Sequence, residues 1–401
     1  MKIVEINSVF NGSTGKIMTS LAEVAHENGI ESYCCANGTP SLSVNGTYNV
    51  FRIGNSYSRK IHAICSYIDG YPEKHSSIAT NKLIHFINKV QPDLIHIHNL
   101  HGFFVNSEKL FSYFKEKSIA VVWTLHDCWS FTGRCPYFDL LKCDSWRTGC
   151  IDCKYPKEWY PRAIKDISNR MWLKKREWFT GVDNLTIVTP SKWLAGLVKE
   201  SYLKEYPVRV INNGINLDVF KPTYSHFRKI YHCENKKILL GVAFDWGRRK
   251  GLDVINELAD RLPTNYQIVI VGSNDGLDKE IDNRIISIHR THNQKELAGI
   301  YTAADLFINP TREDNYPTVN MESIACGTRV VTFNTGGSPE MINSEVGAVV
   351  ECDDINAFEE AIKGFSDKTV VSQNDCLSHA RSFNMHDRFQ EYIELYKNVL
   401  A

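Results

Sequence analysis

Residues 2–17 read KIVEINSVFNGSTGKI. Positions 2–9 mix charged and apolar residues as a first strand does. The glycine-bounded turn at 11–16 then leads straight into a helical pattern through Ile17, Leu21, Val24 and Ala25, closed by Gly29. A strand that enters a helix through such a turn is the opening unit of a parallel α/β sheet. The pattern repeats along the chain. Short apolar runs fall at 93–98, 119–126, 185–189 and 208–211, and a second series begins at 237–244 and continues at 267–271, 285–289, 306–309, 329–333 and 348–351. Helical patterns sit between most of them, at 294–303 and 356–365 for instance. Two successive series predict an α/β protein of two Rossmann-like, doubly wound parallel-sheet domains, 1–213 and 214–384, with a C-terminal helix at 385–401 packing back on the first. The break falls at Asn212-Asn213-Gly214-Ile215-Asn216, a turn-rich run followed by Pro222. Two such domains facing one another make an interdomain cleft, with ligands expected at the carboxyl ends of the strands.

The chain has 401 residues, more than one ordinary core holds, and its 43% hydrophobic content is that of a globular protein. Forty-six basic residues balance forty-six acidic ones, which argues against nucleic acid as a partner. The opening residues read as a strand rather than a signal or transit peptide. No apolar run approaches the roughly 18–20 residues that span a bilayer. The expectation is a cytoplasmic protein, with peripheral contact at the inner face of the plasma membrane left open.

The residues just after each strand carry the chemistry. The turn containing Gly12 and Gly15 presents backbone N–H groups at a helix N-terminus, where an anion can bind. A triphosphate loop is excluded, because Phe10 stands where its first glycine is needed and Ile17 follows Lys16 in place of Ser or Thr. A tight strand–helix turn and a ligand-contacting loop both remain open. His98 and His101 follow one expected strand, and His126-Asp127 end the next, a location that favours function for His126. His96 and His98 share a strand face, but no third metal ligand is read beside them, so His96 reads as structural.

In the second half, Gly247-Arg248-Arg249-Lys250-Gly251 follows the first strand and opens a helix. Cations reinforced by a helix N-terminus suit a diphosphate without Mg²⁺. Downstream, Pro310-Thr311-Arg312-Glu313-Asp314-Asn315-Tyr316-Pro317 precedes a helix that carries Glu322. Two carboxylates at that spacing can address different parts of one long polar ligand, accepting hydrogen bonds from vicinal hydroxyls. Gly336-Gly337-Ser338-Pro339-Glu340 forms another strand–loop–helix turn of the phosphate-binding type.

The ordered set resembles the family-4-type glycosyltransferases of the GT-B fold, in the capsule, O-antigen and exopolysaccharide branch. The matching features are the Gly12–Gly15 loop, Thr124-Leu125-His126-Asp127, Thr189-Pro190-Ser191-Lys192-Trp193, Asn212-Asn213-Gly214-Ile215, Lys250-Gly251, the acidic pair and the Gly336-Gly337-Ser338-Pro339-Glu340 loop. The resemblance implies a retaining enzyme that moves a hexose-type sugar from a UDP- or GDP-sugar to a saccharide acceptor, soluble or lipid-linked, with no cofactor required for catalysis. Under it, Lys250 with Arg248 or Arg249 neutralises the donor diphosphate, and Glu322 binds the ribose. Asp314, with Asn315 beside it, contacts the transferred sugar, and His126 meets that sugar near the reacting centre, next to Asp127. Gly12 and Gly15 approach donor phosphate or acceptor, with His98 and His101 on the acceptor side. Two positions depart from the pattern: Asp314 stands where the family has Glu, and Asp245 stands five residues before Lys250, where the family commonly has Arg.

Cys135, Cys143, Cys150 and Cys153 gather four thiols directly after His126-Asp127, within an insertion at 135–178. Four soft ligands ending in Cys-x2-Cys suit a structural tetrahedral zinc, with free thiols the competing reading. The remaining cysteines are scattered. Residues 154–178 hold eight basic residues against three acidic ones, interleaved with Tyr155, Trp159, Tyr160, Trp172 and Trp178. Such a segment suits an anionic lipid surface, and equally a packed helix with one solvated face. Two alternative functions remain at this stage: a nucleotide-sugar epimerase of the same architecture, and a zinc-dependent nucleic-acid-binding protein.

Overall fold

The protein is described from a computed structural model, which covers residues 1–39, 46–153, 166–274 and 276–401. Contacts divide the chain into two units: Met1–Ile211 together with Phe389–Ala401, and Asn212–Arg388.

The first unit is built on β1 (Lys2–Val9), β2 (Glu31–Asn37), β3 (Asn49–Arg52), β4 (Leu94–Ile97), β5 (Ala120–Thr124), β6 (Leu185–Thr189) and β7 (Val208–Val210). They form one sheet in the order β3-β2-β1-β4-β5-β6-β7, every neighbouring pair parallel. Strand order reverses between β1 and β4, the switch point at which ligands of doubly wound sheets bind. Val4, Ile95 and Val121 on one face and Ile3, Leu94 and Val122 on the other are fully buried, as strands covered on both faces require. Strands β2 and β3 were not expected from the sequence. β2 reads ESYCCAN, and its inward residues Cys34 and Cys35 are small, soft hydrophobes that give a weak strand signal.

Two helices complete this unit's interior. Ser168–Phe179 buries Met171, Trp172, Lys175, Trp178 and Phe179. The described part of the basic, aromatic stretch, residues 166–178, is therefore a core helix; residues 154–165 lie outside the described residues. Lys175 is wholly buried, donates to the carbonyls of Trp129 (2.9 Å) and Thr132 (3.4 Å), and lies 3.7 Å from the Trp129 ring centre. Burial pulls its pKa down to about 8, against the charge of Glu73. The second helix, Met385–Leu400, contributes Phe389, Tyr392, Ile393 and Tyr396 to the core.

The second unit carries β8 (Lys237–Val242), β9 (Tyr266–Val271), β10 (Ile286–Ile288), β11 (Leu306–Asn309), β12 (Val330–Phe333) and β13 (Gly347–Val350). They lie in the order β10-β9-β8-β11-β12-β13, again all parallel, with the reversal between β8 and β11. Both units are thus Rossmann-like. Sequence expectation overran one end: β8 stops at Val242, because Trp246 folds back over Gly241 and donates its indole N–H to the Val271 carbonyl (3.0 Å). The turn at Ser338–Met341 is a single 3-10 turn instead of the expected helix. Among the described residues no helix is long and apolar enough to cross a membrane.

Candidate active site

In the second unit three loops meet at the carboxyl ends of β8, β11 and β12. Gly251, at φ +77, sits so close to the Pro310 carbonyl that a Cβ would lie 2.3 Å from its oxygen. Gly336, at φ +56, would place a Cβ 1.6 Å from the Asp314 carbonyl oxygen. Only glycine fits either position. Arg312 clamps the assembly: it donates bidentately to Asp253 (2.8 Å to each oxygen), to Asp353 (2.7 Å) and to the Arg248 carbonyl (2.5 Å). Burial alone would favour a neutral guanidine, but Asp253 and Asp353 outweigh it and raise the pKa of Arg312. This clamp was not singled out from the sequence. Its signal is a buried arginine, which only the pairing of distant loops makes affordable.

Within this frame Lys250 and Asp314, 64 residues apart, form an ion pair at 2.5 Å, with side chains 16% and 20% exposed. Arg249 donates to the Glu313 carbonyl (3.2 Å), and its own carbonyl accepts from the Arg312 amide (2.8 Å). Arg248 is exposed and Asn315 is buried. Glu322 lies in the helix Thr318–Ala325, half-buried, and accepts from the Tyr301 hydroxyl (3.1 Å). That hydroxyl belongs to a wholly buried ring, so it fixes the carboxylate in place. An ammonium, the neighbouring arginines and the Asp314 carboxylate thus share one loop cluster, which can take a ligand with an anionic centre and a hydroxyl-bearing end, and Glu322 lies on the helix that follows Asp314.

In the first unit, Gly12 takes φ +82 with open space where a side chain would stand. Gly15 differs: a Cβ there would meet the Phe10 carbonyl carbon at 2.3 Å, so its glycine serves close packing of helix against strand. His126 and Asp127 follow β5. His126 Nε2 lies 3.1 Å from His98 Nδ1, and Asp127 pairs with His101 at 3.0 Å while accepting from the Trp129 amide (2.9 Å). Burial pulls the pKa of His126 down to about 4, against the opposing charge of Asp127, so the imidazole is neutral at neutral pH. Burial would raise the pKa of Asp127, but His101 and the Trp129 N–H hold it below the ordinary value. A small cavity here is lined by His98, Asn99, Thr124, His126, Asp127 and Trp129.

Sequence reading found no third group beside His96 and His98, and the fold corrects this. Glu5 on β1 stands in register with His96 on β4, and the ligand atoms of Glu5, His96 and His98 all lie within 4.8 Å of one another. The pairing joins residues some ninety positions apart, which no local spacing reveals. Among the described residues this is the set with metal-ligand spacing; the four cysteine sulfurs are not drawn together to that degree. Cys135 and Cys150 are buried, Cys143 and Cys153 half-buried, and all four are free thiols. Cys150 accepts a hydrogen bond from the Gly133 amide (3.1 Å). Burial pushes its pKa up to about 12, with Cys153 and Cys143 adding to the rise.

Comparison with known proteins agrees with this architecture. A family model described as Glycosyltransferase Family 4 matches residues 14–219, and one described as Glycosyl transferases group 1 matches residues 225–382. The Escherichia coli (strain K12) protein WcaC, by its name a colanic acid biosynthesis glycosyl transferase, is 22% identical over 320 residues, 77% of each chain. Sucrose-phosphate synthase from Thermosynechococcus elongatus superposes with a TM-score of 0.74 at 17% identity, over 99% of this chain and 98% of that one. Anabaena Alr3699/HepE, solved with UDP-glucose, gives a TM-score of 0.66 at 13% identity, over 99% of this chain and all of that one. The first model alone spans just over half of the sequence. Taken with the two Rossmann-like units, this places the chain in Glycosyltransferase Family 4, as a glycosyltransferase of the GT-B type.

Proposed function

We propose that the protein transfers a hexose-type sugar from a UDP- or GDP-sugar to a lipid-linked saccharide acceptor, with retention of anomeric configuration, in surface polysaccharide biosynthesis. The observation that carries the donor assignment is the Lys250–Asp314 pair, held at the meeting point of three loops. A group that neutralises phosphate and a group that accepts from sugar hydroxyls stand side by side, as the two ends of a sugar–diphosphate linkage need. In this reading Lys250, Arg248 and Arg249 take the diphosphate, Glu322 the ribose, and Asp314 and Asn315 the sugar. His126 meets the sugar near its reacting carbon, with Asp127 ordering the adjoining turn and Gly12 and Gly15 flanking the phosphates. His101 lies toward the acceptor, while His98, expected there too, is wholly buried beneath His126 and acts through that ring. The bond from the anomeric carbon to the diphosphate oxygen breaks, the acceptor oxygen bonds the same face of that carbon, and the leaving diphosphate takes the acceptor's proton. The cations stabilise the charge that grows on the diphosphate, so no metal or cofactor is needed for the step. That HepE was solved with UDP-glucose supports a uridine nucleotide among the candidates.

Thermal unfolding with UDP, GDP and their sugar conjugates tests the donor. The correct nucleotide raises the midpoint by mass action, and Glu322→Ala abolishes the rise. No shift with any of them would overturn the assignment. The anomeric configuration of the product, read by NMR, tests retention. A peripheral membrane contact is part of the reading, supported by the helix Ser56–Asp69: Tyr57, Ile61, Ile64 and Ile68 are 60–77% exposed beside Arg59 and Lys60. Flotation with anionic but not neutral vesicles, lost in Ile61→Glu, is the expected result. The reading of Cys135, Cys143, Cys150 and Cys153 as a structural zinc site rests on their thiol chemistry and requires their sulfurs, which stand apart here, to close on the metal.

A further inference from the structure

Beneath His126 runs a hydrogen-bonded path into the centre of the first sheet. Its members are Glu5 on β1 and His98, just past β4, with side chains 1% and 0% exposed. Glu5 Oε2 lies 3.4 Å from His98 Nε2, and His98 Nδ1 lies 3.1 Å from His126 Nε2. The two imidazoles stack, with ring centres 5.4 Å apart and planes 17° apart. His98 is itself fixed: its amide donates to the Ile6 carbonyl (2.8 Å), and its carbonyl accepts from the Trp123 indole (3.2 Å). No charge is required to make every bond in this path. A burial site of this depth disfavours ions of either sign.

We propose that Glu5 and His98 are positioning residues that set the tautomer and the ring plane of His126. The inference rests on the reading of His126 given above. Protonated Glu5 donates to His98 Nε2, His98 donates from Nδ1 to His126 Nε2, and His126 therefore carries its own proton on Nδ1. Burial supports this distribution: it raises Glu5 well above the ordinary carboxyl range and lowers His98 well below the ordinary imidazole range. With Nε2 of His126 engaged as an acceptor, Nδ1 is the ring's donor nitrogen and the ring plane fixes its direction. A donor held in advance costs no reorganisation when the glycosidic bond lengthens.

The same carboxyl with His96 and His98 could in principle hold a metal ion, and the hydrogen bonding argues against it. His96 Nδ1 lies 2.7 Å from the Tyr396 hydroxyl, and its Nε2 faces the Thr124 hydroxyl (2.8 Å), which in turn lies 3.2 Å from the Tyr392 hydroxyl. Both nitrogens of His96 have hydroxyl partners outside the triad, so a cation there would have to displace one of them. Tyr392 and Tyr396 come from the C-terminal helix, which packs against this path.

The decisive measurement is the imidazole ¹⁵N spectrum of histidine-labelled protein without substrate, with His126 assigned by its loss in His126→Asn. The wild type should show His126 as the Nδ1–H tautomer. Glu5→Gln keeps a donor to His98 and should keep that tautomer, whereas Glu5→Met should lose it. With UDP-glucose hydrolysis as the activity probe, Glu5→Met should lower kcat about tenfold with KM within about twofold, and Glu5→Gln should stay near wild type. An Nε2–H His126 in the wild type would overturn the proposal without any variant having to fold. So would Glu5→Gln as damaging as Glu5→Met, or one equivalent of metal in the purified protein that Glu5→Gln removes. Normal turnover in His126→Asn beside an Nδ1–H ring would strike the sugar-contacting role of His126 and leave the positioning path standing.

Discussion

At the scale of single residues, the ion pair of Lys250 with Asp314 has a consequence for catalysis. Both side chains are fully functional only when released to ligand, so the diphosphate must compete with a carboxylate for the same ammonium. A dianionic diphosphate wins that competition more strongly as its charge grows, which places the contribution of Lys250 in the transition state. Lys250→Ala should therefore lower turnover by about 10²-fold or more while weakening binding of the bare nucleoside little. Equal losses for nucleoside and nucleoside diphosphate, by calorimetry, would contradict the role. Lys250, Asp314 and Glu322 stand out in the sequence because their spacing follows loop ends. Their partners do not, since the ammonium of residue 250 and the carboxylate of residue 314 meet only through the pairing of β8 with β11. Arg312 is the sharper omission. As one charge in a run of charges it reads as surface, yet its side chain is 8% exposed and joins Asp253 to Asp353.

At the scale of elements, most strands were legible as apolar runs, the edge strands β7, β10 and β13 among them, while one carrying its apolar surface in cysteine and one short exposed strand were not. β2 and β3 belong to the second class; β3 is four residues long and mostly exposed. The first turn shows how one glycine-rich motif divides its work. Gly12 leaves room outward, whereas Gly15 is pressed on the Phe10 backbone from inside its helix. Gly15→Ala should destabilise the protein by about 1–3 kcal/mol, because the obstacle is backbone and cannot rotate aside. A change below a few tenths of a kcal/mol in denaturant unfolding would show that the helix shifts freely. The cysteine loop makes a compositional prediction. Lys175 ties its first turn through the Trp129 and Thr132 carbonyls, and a metal would tie the rest. Closure of four thiolates on zinc predicts about one zinc per chain in protein purified without added metal. Near-zero metal with all four thiols freely alkylated in the native state would remove it.

At the scale of the whole molecule, the alternation of strand and helix from the first residue predicted both sheets, and the reversal of strand order in each unit could be read only from the fold. The first unit concentrates something no composition shows, a set of histidines that burial keeps neutral. Burial lowers His62 and His126 to about 4 and His96 to about 3, and it lowers His98 well below its ordinary value. An imidazole with a folded pKa below the unfolded value of about 6.5 binds fewer protons when folded. Its stabilising contribution is therefore complete above pH 6.5 and is lost as pH falls through the window from 6.5 toward 4. Glu5, Glu23, Glu73 and Asp139, the last raised to about 6, act with the opposite sign: burial favours their protonated forms, so they oppose the loss on the acid side. The four imidazoles and the four carboxyls therefore pull the stability of this unit in opposite directions as pH falls. The expected result is that hydrogen exchange in β1, β4 and β5 changes between pH 7 and pH 5, after correction for intrinsic rates, while β8, β11 and β12 change less. A uniform response across both sheets would mean that the buried histidines of the first unit are not the groups taking up the protons.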